Sequence, residues 1–265
     1  IREVRTRHPE MKIVAGGLDP TYSTNRWTSN PDVDYVLVGE GELSVPKMIK
    51  EIRENKEIPK LQRGESIDVD NIPYINRNDW EPEFPYYMRY WSGQHRFFTM
   101  LTSRACVYKC TFCAPASDLM FGRSKERRRS IENMMGEIRQ LKAMGMKSWM
   151  IHDDNFAQNK EWVHRFMDAY EKEFKPMPLI IQSRVNIMQD EEMVKRLRDV
   201  LGLEWAIIGF ESGSDQVLRA LNKNANRKMN LIAAQNCHKY GIRIFANIMF
   251  GTPTEKHEDV DATVD

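Results

Sequence analysis

The chain has 265 residues, of which 41% are hydrophobic and 10% aromatic, and its formal net charge is +1. Its length suits one large domain, or a domain with part of another, and can bury a real core. The near-neutral charge argues against a dedicated nucleic-acid-binding protein, so no nucleic-acid partner is expected. There is no run of about 18 apolar residues, so no membrane-spanning helix and no membrane partner are expected. Four cysteines are too few for a disulfide framework and favour a reduced, cytoplasmic setting.

Residues 1–58 have the pattern of the last part of an α/β domain. Residues 1–9 resemble the end of a helix, and "MKIVAGG" predicts a short buried strand that stops at the glycines. After a loop, "DYVLVGEGE" predicts a second strand and "SVPKMIKEIRENK" predicts a helix. The chain begins with Ile1 and ends with "ATVD" inside a helical pattern. We therefore expect it to be a segment of a longer protein.

Residues 59–95 are predicted to form a linker between two domains. The segment is polar and aromatic without a clear period, and it is punctuated by prolines at positions 59, 73, 82 and 85. Four aromatic side chains are expected to pack this linker: Trp80, Tyr86, Tyr87 and Trp91.

From residue 96 onward, a strand pattern followed by a helical pattern occurs five times. The predicted strands are "RFFTMLTSR", "SWMIH", "PLIIQSR", "WAIIGFE" and "IRIFANIMFG". Helices are predicted after the N-cap Ser130, over about 160–174, from Asp190, and between the fourth and fifth strands. This alternation predicts an α/β fold with a parallel sheet, either a barrel or a doubly wound sheet with right-handed crossovers.

Polar residues follow the predicted strands at the ends where parallel folds place their sites. Three cysteines follow the first strand, and "HDDN" follows the second. Gln182 and Arg184 end the third strand, and "ESGS" follows the fourth. Because the C-terminal ends of barrel strands converge on one mouth, we expect these positions to form a single site.

Cys106, Cys110 and Cys113 lie within "RACVYKCTFCAPA" and suit a metal ion or a cluster. A zinc site normally takes four tetrahedral ligands, but the chain has no second cysteine pair, and a disulfide would leave one cysteine over. A [4Fe–4S] cluster is usually held by four cysteines, so three ligands would leave one iron open to another molecule. A non-catalytic, zinc-stabilised interaction module remains the alternative from another class.

The ordered segments resemble those of the radical S-adenosylmethionine (SAM) superfamily. Phe112 matches the aromatic residue that often precedes the third cysteine, and "HDDNF", "GFESGS" and "IMFGTPTE" resemble the segments after strands two, four and five. The resemblance covers about residues 96–265. It implies a partial parallel (β/α) barrel of the radical SAM type, with five of its six strands present.

Residues 1–60 resemble the final part of the Rossmann-like, cobalamin-binding domain that precedes many radical SAM enzymes. The matching pieces are "IVAGG", Thr21 and "VDYVLVGEGE", whereas Asp19 stands where many relatives have a histidine. We expect the full-length parent protein to bind cobalamin. The 265-residue chain alone is expected to bind it weakly or not at all.

The resemblance implies that Cys106, Cys110 and Cys113 hold a [4Fe–4S] cluster whose open iron binds the amino and carboxylate groups of SAM. The reduced cluster would cleave SAM to methionine and a 5′-deoxyadenosyl radical, which abstracts hydrogen from a substrate. The implied partners are a reductant such as flavodoxin or ferredoxin and a small-molecule substrate. The expected outcome is cobalamin-linked methyl transfer or ring formation.

A tRNA-modifying methylthiotransferase-like enzyme is the close alternative within the same superfamily. That family carries further cluster cysteines in its N-terminal domain. Residues 1–105 of this chain contain no cysteine, which favours the cobalamin-linked class.

The resemblance also implies where SAM contacts the chain. Asp153 or Asp154 would accept hydrogen bonds from the SAM ammonium, or would only cap a turn. Glu211 and Ser212 would contact the ribose and the amino acid part of SAM, with Glu211 accepting from the ribose hydroxyls. Arg184 would meet the SAM carboxylate or pair with Glu211 or an aspartate. Gly251 would offer backbone to the adenine. The complete expected set is Phe112, Asp153, Asp154, Arg184, Glu211, Ser212 and Gly251.

Three further features are interpreted as structural. Cys237 lies within an apolar helical pattern and is expected to be a core thiol and not a cluster ligand. The segment "KERRRS" at 125–130 is expected to be a solvated loop and helix start. Most of the sixteen methionines fall at core-like spacing and are expected to serve packing.

Overall fold

The computed structural model describes residues 1–77, 96–114 and 126–265. The four aromatic side chains expected to pack the linker, at positions 80, 86, 87 and 91, lie outside these ranges, as does Lys125. None of the described helices is both long enough and apolar enough to cross a membrane. The chain forms two compact units, bounded by Ile1–Ile72 with Ala114–Lys125 and by Pro73–Cys113 with Glu126–Asp265.

The N-terminal unit contains a parallel three-stranded sheet with the order β1-β2-β3. Its strands are β1 (Val14–Ala15), β2 (Tyr35–Val38) and β3 (Leu61–Arg63). Its helices are α1 (Arg2–Arg7), α2 (Leu18–Tyr22), α3 (Thr24–Thr28) and α4 (Ser44–Arg53).

Two features of this unit differ from the sequence prediction. The segment between β1 and β2 contains α2 and α3, each of five residues, which are too short to show a helical period. The strand β3 lies inside the segment predicted as linker, and it has three residues. Its pairing with β2, and not an alternating pattern of its own, makes it a strand.

The C-terminal unit contains a five-stranded sheet in which every neighbouring pair is parallel. Along the sheet the strands follow chain order, whereas a doubly wound sheet would reverse its order at one point. This confirms the predicted parallel α/β fold and favours the barrel arrangement. The strands are β4 (Phe97–Met100), β7 (Ser148–Ile151), β8 (Leu179–Arg184), β9 (Leu203–Glu211) and β10 (Arg243–Ile248). Two short strands, β5 (Ser103–Arg104) and β6 (Arg127–Arg128), form a separate pair.

The helices between these strands begin at polar caps, as the sequence indicates. Ser130 Oγ accepts a hydrogen bond from the Asn133 amide at 3.1 Å, and Asp190 Oδ1 accepts one from the Met193 amide at 3.2 Å. Both predicted helix starts are therefore confirmed. The helices are α5 (Ile131–Ala143), α6 (Lys160–Glu173), α7 (Val185–Met188), α8 (Glu191–Arg196), α9 (Asp215–Ala220), α10 (Arg227–Lys239) and α11 (His257–Val264).

The strands β4, β7 and β8 carry buried apolar side chains on both faces of the sheet, which explains why the inner strands β7 and β8 appear as continuous apolar runs. The larger core includes Trp149, whose ring stacks on Tyr170 with the ring centroids 5.6 Å apart. The opposite face carries a smaller cluster built on Phe97, Met150 and Ile180. Many methionines belong to the larger core, as expected: Met100, Met134, Met135, Met146, Met167, Met177, Met188 and Met193.

The segment "RFFTMLTSR" is not one strand, as predicted, but two. The parallel strand β4 ends at Met100, and Ser103–Arg104 (β5) then pairs antiparallel with Arg127–Arg128 (β6). The break occurs where Thr102 turns to bond Asp153. A long-range contact, which the local pattern does not encode, therefore ends the strand.

The helix start predicted at the end of "KERRRS" is confirmed by the cap at Ser130, but the solvated loop predicted before it is wrong, because Arg127–Arg128 forms a strand and the described residues 126–129 are partly buried. Arg128 is largely buried, with its guanidinium 4.7 Å from the centre of the Trp162 ring and 3.7 Å from Asp153. Arg129 pairs with the buried Glu137 at 2.5 Å. These arginines fix the segment against the sheet because carboxylates from α5 and from the loop after β7 lie within reach.

Candidate cofactor site

The cysteine loop begins directly after β5, at a strained backbone position. Ala105 is buried and has a φ of +71°, a left-handed conformation that costs a residue with a Cβ about 1–3 kcal/mol. Cys106 and Cys113 are partly exposed, Cys110 is buried, and none of the three forms a disulfide. The Cys113 amide donates to the Cys110 carbonyl at 3.2 Å, which tightens the last turn of the loop.

Two amide side chains hold the backbone of the loop from outside. Gln158 donates to the Ala105 carbonyl at 3.0 Å and accepts from the Val107 amide at 3.2 Å. Asn222 donates to the Lys109 carbonyl at 2.7 Å. Sequence analysis missed both residues, because a single amide in a loop gives no signal that separates a clamp from an ordinary turn.

Asp153 is fully buried, and its carboxylate accepts hydrogen bonds from the residues that lead into the cysteine loop. Its Oδ1 accepts hydrogen bonds from the backbone amides of Thr102 at 2.6 Å and Ser103 at 3.2 Å. Its Oδ2 accepts from the hydroxyl groups of the same two residues, with Ser103 Oγ at 2.7 Å. Arg128 adds a positive charge at 3.7 Å. Of the two aspartates, this one therefore orders the approach to the cysteines.

Asp154 differs from its neighbour in having an exposed surface and no hydrogen-bond partner in the described parts of the chain. Neighbouring atoms nevertheless desolvate its carboxyl group in part, and this desolvation raises the pKa of Asp154. The negative charge of Asp153 raises the pKa further. Asp154 is thus a carboxylate that gains from a cationic ligand.

Arg184, at the C-terminal end of β8, reaches the cysteine loop. Its Nη1 donates to Cys110 Sγ at 3.0 Å, its Nη2 donates to the Lys223 carbonyl, and its Nε donates to Asn186 Oδ1 at 3.3 Å. The guanidinium carbon lies 3.9 Å from the centre of the Tyr108 ring. The expected alternative, a pair with Glu211 or an aspartate, is not found among the described residues.

Glu211 ends β9 in another left-handed conformation, with a φ of +64°. Its Oε1 accepts from Lys223 Nζ at 2.7 Å, and both side chains are buried. A Cβ on Gly209 would lie 2.3 Å from that oxygen and 2.7 Å from the lysine nitrogen, so any side chain there would displace this pair. Lys223 Nζ also lies 5.8 Å from the centre of the exposed Phe112 ring. Sequence analysis did not identify Lys223, since one lysine in "LNKN" carries no motif.

Ser212 and the glycine after it are engaged by the C-terminal helix α11. Ser212 Oγ lies 3.0 Å from Thr263 Oγ1, which also accepts from the Gly213 amide at 2.9 Å. Ser212 Oγ further accepts from the Ser214 amide at 3.0 Å. The side chain of Ser212 therefore shapes the turn after β9. Gly251, the last of the expected SAM contacts, donates its amide to Glu255, and it has no described hydrogen bond to this turn.

The donor set fits an iron–sulfur cluster in its chemistry. Three cysteines that form no disulfide lie in one eight-residue loop, next to two buried cations, Arg184 and Lys223. In the described ranges no three Cys, His, Asp or Glu side chains are arranged to share one metal ion. A cluster does not require such an arrangement, because its cysteines bind different irons.

Comparison with known proteins places the chain in a family. The model of the radical SAM superfamily matches residues 100–265. An uncharacterized methyltransferase of Pyrococcus horikoshii is 26% identical over 264 residues, covering 95% of this chain and 56% of the relative. A putative methylthiotransferase of Methanocaldococcus jannaschii is 28% identical over 271 residues, covering 98% of this chain and 58% of the relative.

The fold is similar to that of a solved structure, the cobalamin-dependent SAM radical enzyme OxsB with aqua-cobalamin and SAM bound. The TM-score is 0.75 at 18% identity, over 99% of this chain and 40% of that chain. The chain spans rather more than half the length of the two curated relatives above.

Proposed function

The chain belongs to the radical SAM superfamily, and on that premise we propose that Cys106, Cys110 and Cys113 hold a [4Fe–4S] cluster beside a SAM site. The whole protein is proposed to be a cobalamin-linked enzyme that transfers a methyl group to, or closes a ring in, a small molecule. One observation carries this proposal. The cysteine loop lies at the C-terminal end of the first of five parallel strands, and a side chain from the third strand contacts it.

When bound by Cys106, Cys110 and Cys113, a cluster would supply the single electron for reductive cleavage of SAM. The chain's own contribution is to hold the loop and to orient SAM. Gln158 and Asn222 fix the loop backbone, and Asp153 fixes the residues before it. Cys106 and Cys113 are partly exposed, which suits delivery of an electron by a reductant such as flavodoxin or ferredoxin.

The SAM contacts are divided among the strand ends. Asp154 lacks a described partner and is proposed to accept from the SAM ammonium. Glu211 is held through Oε1, so its other oxygen is proposed to accept from the ribose hydroxyls. Ser212 sets the turn beside the ribose, and the exposed Phe112 ring is proposed to pack against SAM. Gly251 already donates its amide, so its carbonyl is the group proposed to meet the adenine.

Cobalamin is proposed for the longer parent protein because the N-terminal residues resemble a cobalamin-binding domain and a protein of similar fold is cobalamin-dependent. Asp19, at the position of the usual histidine, accepts a hydrogen bond from Trp27 Nε1 at 2.8 Å. We expect the parent to retain hydroxocobalamin after desalting, in about stoichiometric amount, and residues 1–265 to retain little. Absence of corrin absorbance from both would contradict the cobalamin proposal.

Anaerobic reconstitution with iron and sulfide tests the cluster. The loaded protein should be brown, should bleach with dithionite, and should contain about four irons per chain. It should then cleave SAM to methionine when reduced. A zinc-stabilised interaction module would stay colourless and would bind zinc without sulfide.

A methylthiotransferase is the second candidate, favoured by the name of the relative from Methanocaldococcus jannaschii. Such an enzyme needs ligands for a further cluster, whereas the fourth cysteine of this chain, Cys237, is buried in the core. The two functions differ in iron content, which can be counted in the reconstituted parent protein. About four irons support the cobalamin-linked enzyme, and about eight support the methylthiotransferase.

A further inference from the structure

We propose that Arg184 is a positioning residue that donates a hydrogen bond to the sulfur of Cys110 and thereby raises the reduction potential of the cluster. Arg184 is not, on this proposal, the group that binds the SAM carboxylate. The inference rests on the proposed function, because it requires a cluster on the cysteine loop.

The contact between Arg184 and Cys110 is buried, and the guanidinium is held on several sides. Arg184 Nη1 lies 3.0 Å from Cys110 Sγ, and these are residues with 6% and 7% of their surface exposed. The guanidinium is fixed on its other sides by the Tyr108 ring, by the Lys223 carbonyl and by Asn186. All three guanidinium nitrogens therefore already donate a hydrogen bond, which leaves fewer donors for a second ligand.

The charge of Arg184 is the second argument. A buried guanidinium is stable only when an anion compensates it, and the printed contacts of Arg184 within the described residues include no carboxylate. The other buried cation beside the loop, Lys223, is compensated by Glu211 at 2.7 Å. The anion that Arg184 lacks is supplied when Cys110 is a thiolate that binds iron.

The consequence concerns the potential of the cluster. Hydrogen bonds to the sulfurs and the local net charge are among the properties that set the potential of an iron–sulfur cluster. Reduction adds negative charge to the cluster, so a guanidinium that donates to a ligand sulfur stabilises the reduced form more than the oxidised form. The contact should therefore ease the reduction that must precede cleavage of SAM.

The test compares the reconstituted wild-type chain with Arg184→Gln and Arg184→Lys. Arg196→Gln is the matched control, since Arg196 pairs with Asp168 and His164 on the helices of the same unit. Iron and sulfide are counted, the midpoint potential is measured by a dithionite titration followed by electron paramagnetic resonance, and SAM affinity is measured by calorimetry. In Arg184→Gln the equilibrium for reduction should fall roughly tenfold, a shift of about 59 mV to a more negative potential for one electron.

Arg184→Lys keeps the charge but lacks the planar fork, so a smaller shift in the same direction is expected. The control and the SAM affinities should stay close to wild type. An unchanged potential in both loaded variants would overturn the proposal, and so would a loss of SAM affinity at unchanged potential, which would assign Arg184 to the SAM carboxylate. Loss of iron from both variants would also overturn it, by making Arg184 a support of the loop. If the wild-type chain takes up no iron, the proposed function fails as well.

Discussion

Lys223 Nζ donates to Glu211 Oε1 at 2.7 Å, and neither side chain is more than a tenth exposed. The pair joins the last residue of β9 to the segment after α9, next to the cysteine loop. Removing one member of such a pair leaves a buried charge without compensation, which costs about 3–5 kcal/mol. Lys223→Met should therefore lower the free energy of unfolding by about that amount, and it should weaken SAM binding because Glu211 loses its anchor.

Chemical denaturation and calorimetry measure the two effects of Lys223→Met. The matched control is Lys239→Met, which breaks the exposed pair with Glu191 and should change neither quantity appreciably. Equal effects of the two substitutions would show that the buried pair has no special role.

Gly209 is predicted to be essential for the same pair. A methyl group at this position would lie 2.3 Å from Glu211 Oε1 and 2.7 Å from Lys223 Nζ, so Gly209→Ala must push the two side chains apart. SAM affinity should fall about as far as in Lys223→Met, with iron content retained. Gly16→Ala is the control, because its added Cβ would meet nothing closer than 3.8 Å. Unchanged SAM affinity in Gly209→Ala would move the SAM site away from Glu211.

The partly exposed Cys106 and Cys113 should differ from the buried Cys237 in their reactivity toward alkylating agents. Burial raises the pKa of Cys237 to about 12, so this thiol stays protonated across the range from pH 6 to 9, and only the thiolate is reactive. Desolvation also raises the pKa of Cys106. In the iron-free native protein, iodoacetamide at pH 8 should therefore label the partly exposed Cys113 and, more slowly, Cys106, and should leave the buried Cys237 unlabelled. Mass spectrometry of peptides reports the sites.

Iron binding should separate Cys237 from the three cysteines of the loop, including the buried Cys110. Replacement of Cys106, Cys110 or Cys113 by Ala should abolish incorporation of iron and sulfide, whereas Cys237→Ala should incorporate both near the wild-type level. An empty site in Cys237→Ala alone would refute the ligand assignment.

The predictable parts of this protein are those that depend on neighbours in sequence. The caps at Ser130 and Asp190 and the five apolar strands follow from patterns of a few residues, because a helix start or a buried strand is decided locally. The contact between Arg184 and Cys110 joins residues 74 positions apart, and no local pattern encodes it. The strand break before Thr102 and the role of Lys223 were missed for the same reason.

Replacement of Asp154 by asparagine should raise the stability of the chain and weaken its binding of SAM. Desolvation, and then the charge of Asp153, raises the pKa of Asp154, so the folded chain binds that proton more tightly than the unfolded chain. The stability from this proton is present in acid and is lost as the pH rises through the raised pKa. Asp154→Asn should therefore be more stable than wild type at pH 7, with a difference that shrinks as the pH falls.

The same substitution should weaken SAM binding, because the amide loses a charge-assisted hydrogen bond to the SAM ammonium. Such a bond is worth about 1.5–3 kcal/mol, or roughly a tenfold to hundredfold loss of affinity. Denaturation across the pH range and calorimetry at pH 7 test both effects. A variant that is more stable and binds SAM normally would leave Asp154 without a role in the site.

Asp153 should act by holding the residues that lead into the cysteines. Its replacement by alanine and its conservative replacement by asparagine should therefore differ in stability and in iron content. In Asp153→Ala the amides of Thr102 and Ser103 lose their acceptor, and each unsatisfied buried donor costs about 1–3 kcal/mol. In Asp153→Asn the amide oxygen can still accept from those amides, and the two hydroxyls can rotate to accept from the new NH₂ group. The alanine variant should therefore be destabilised by about 2–6 kcal/mol and should lose most of its iron, while the asparagine variant keeps most of both. The exposed Asp168→Asn, which breaks the pair with Arg196, serves as the control. Equal iron content in Asp153→Ala and Asp153→Asn, at equal stability, would show that the loop is held without this carboxylate.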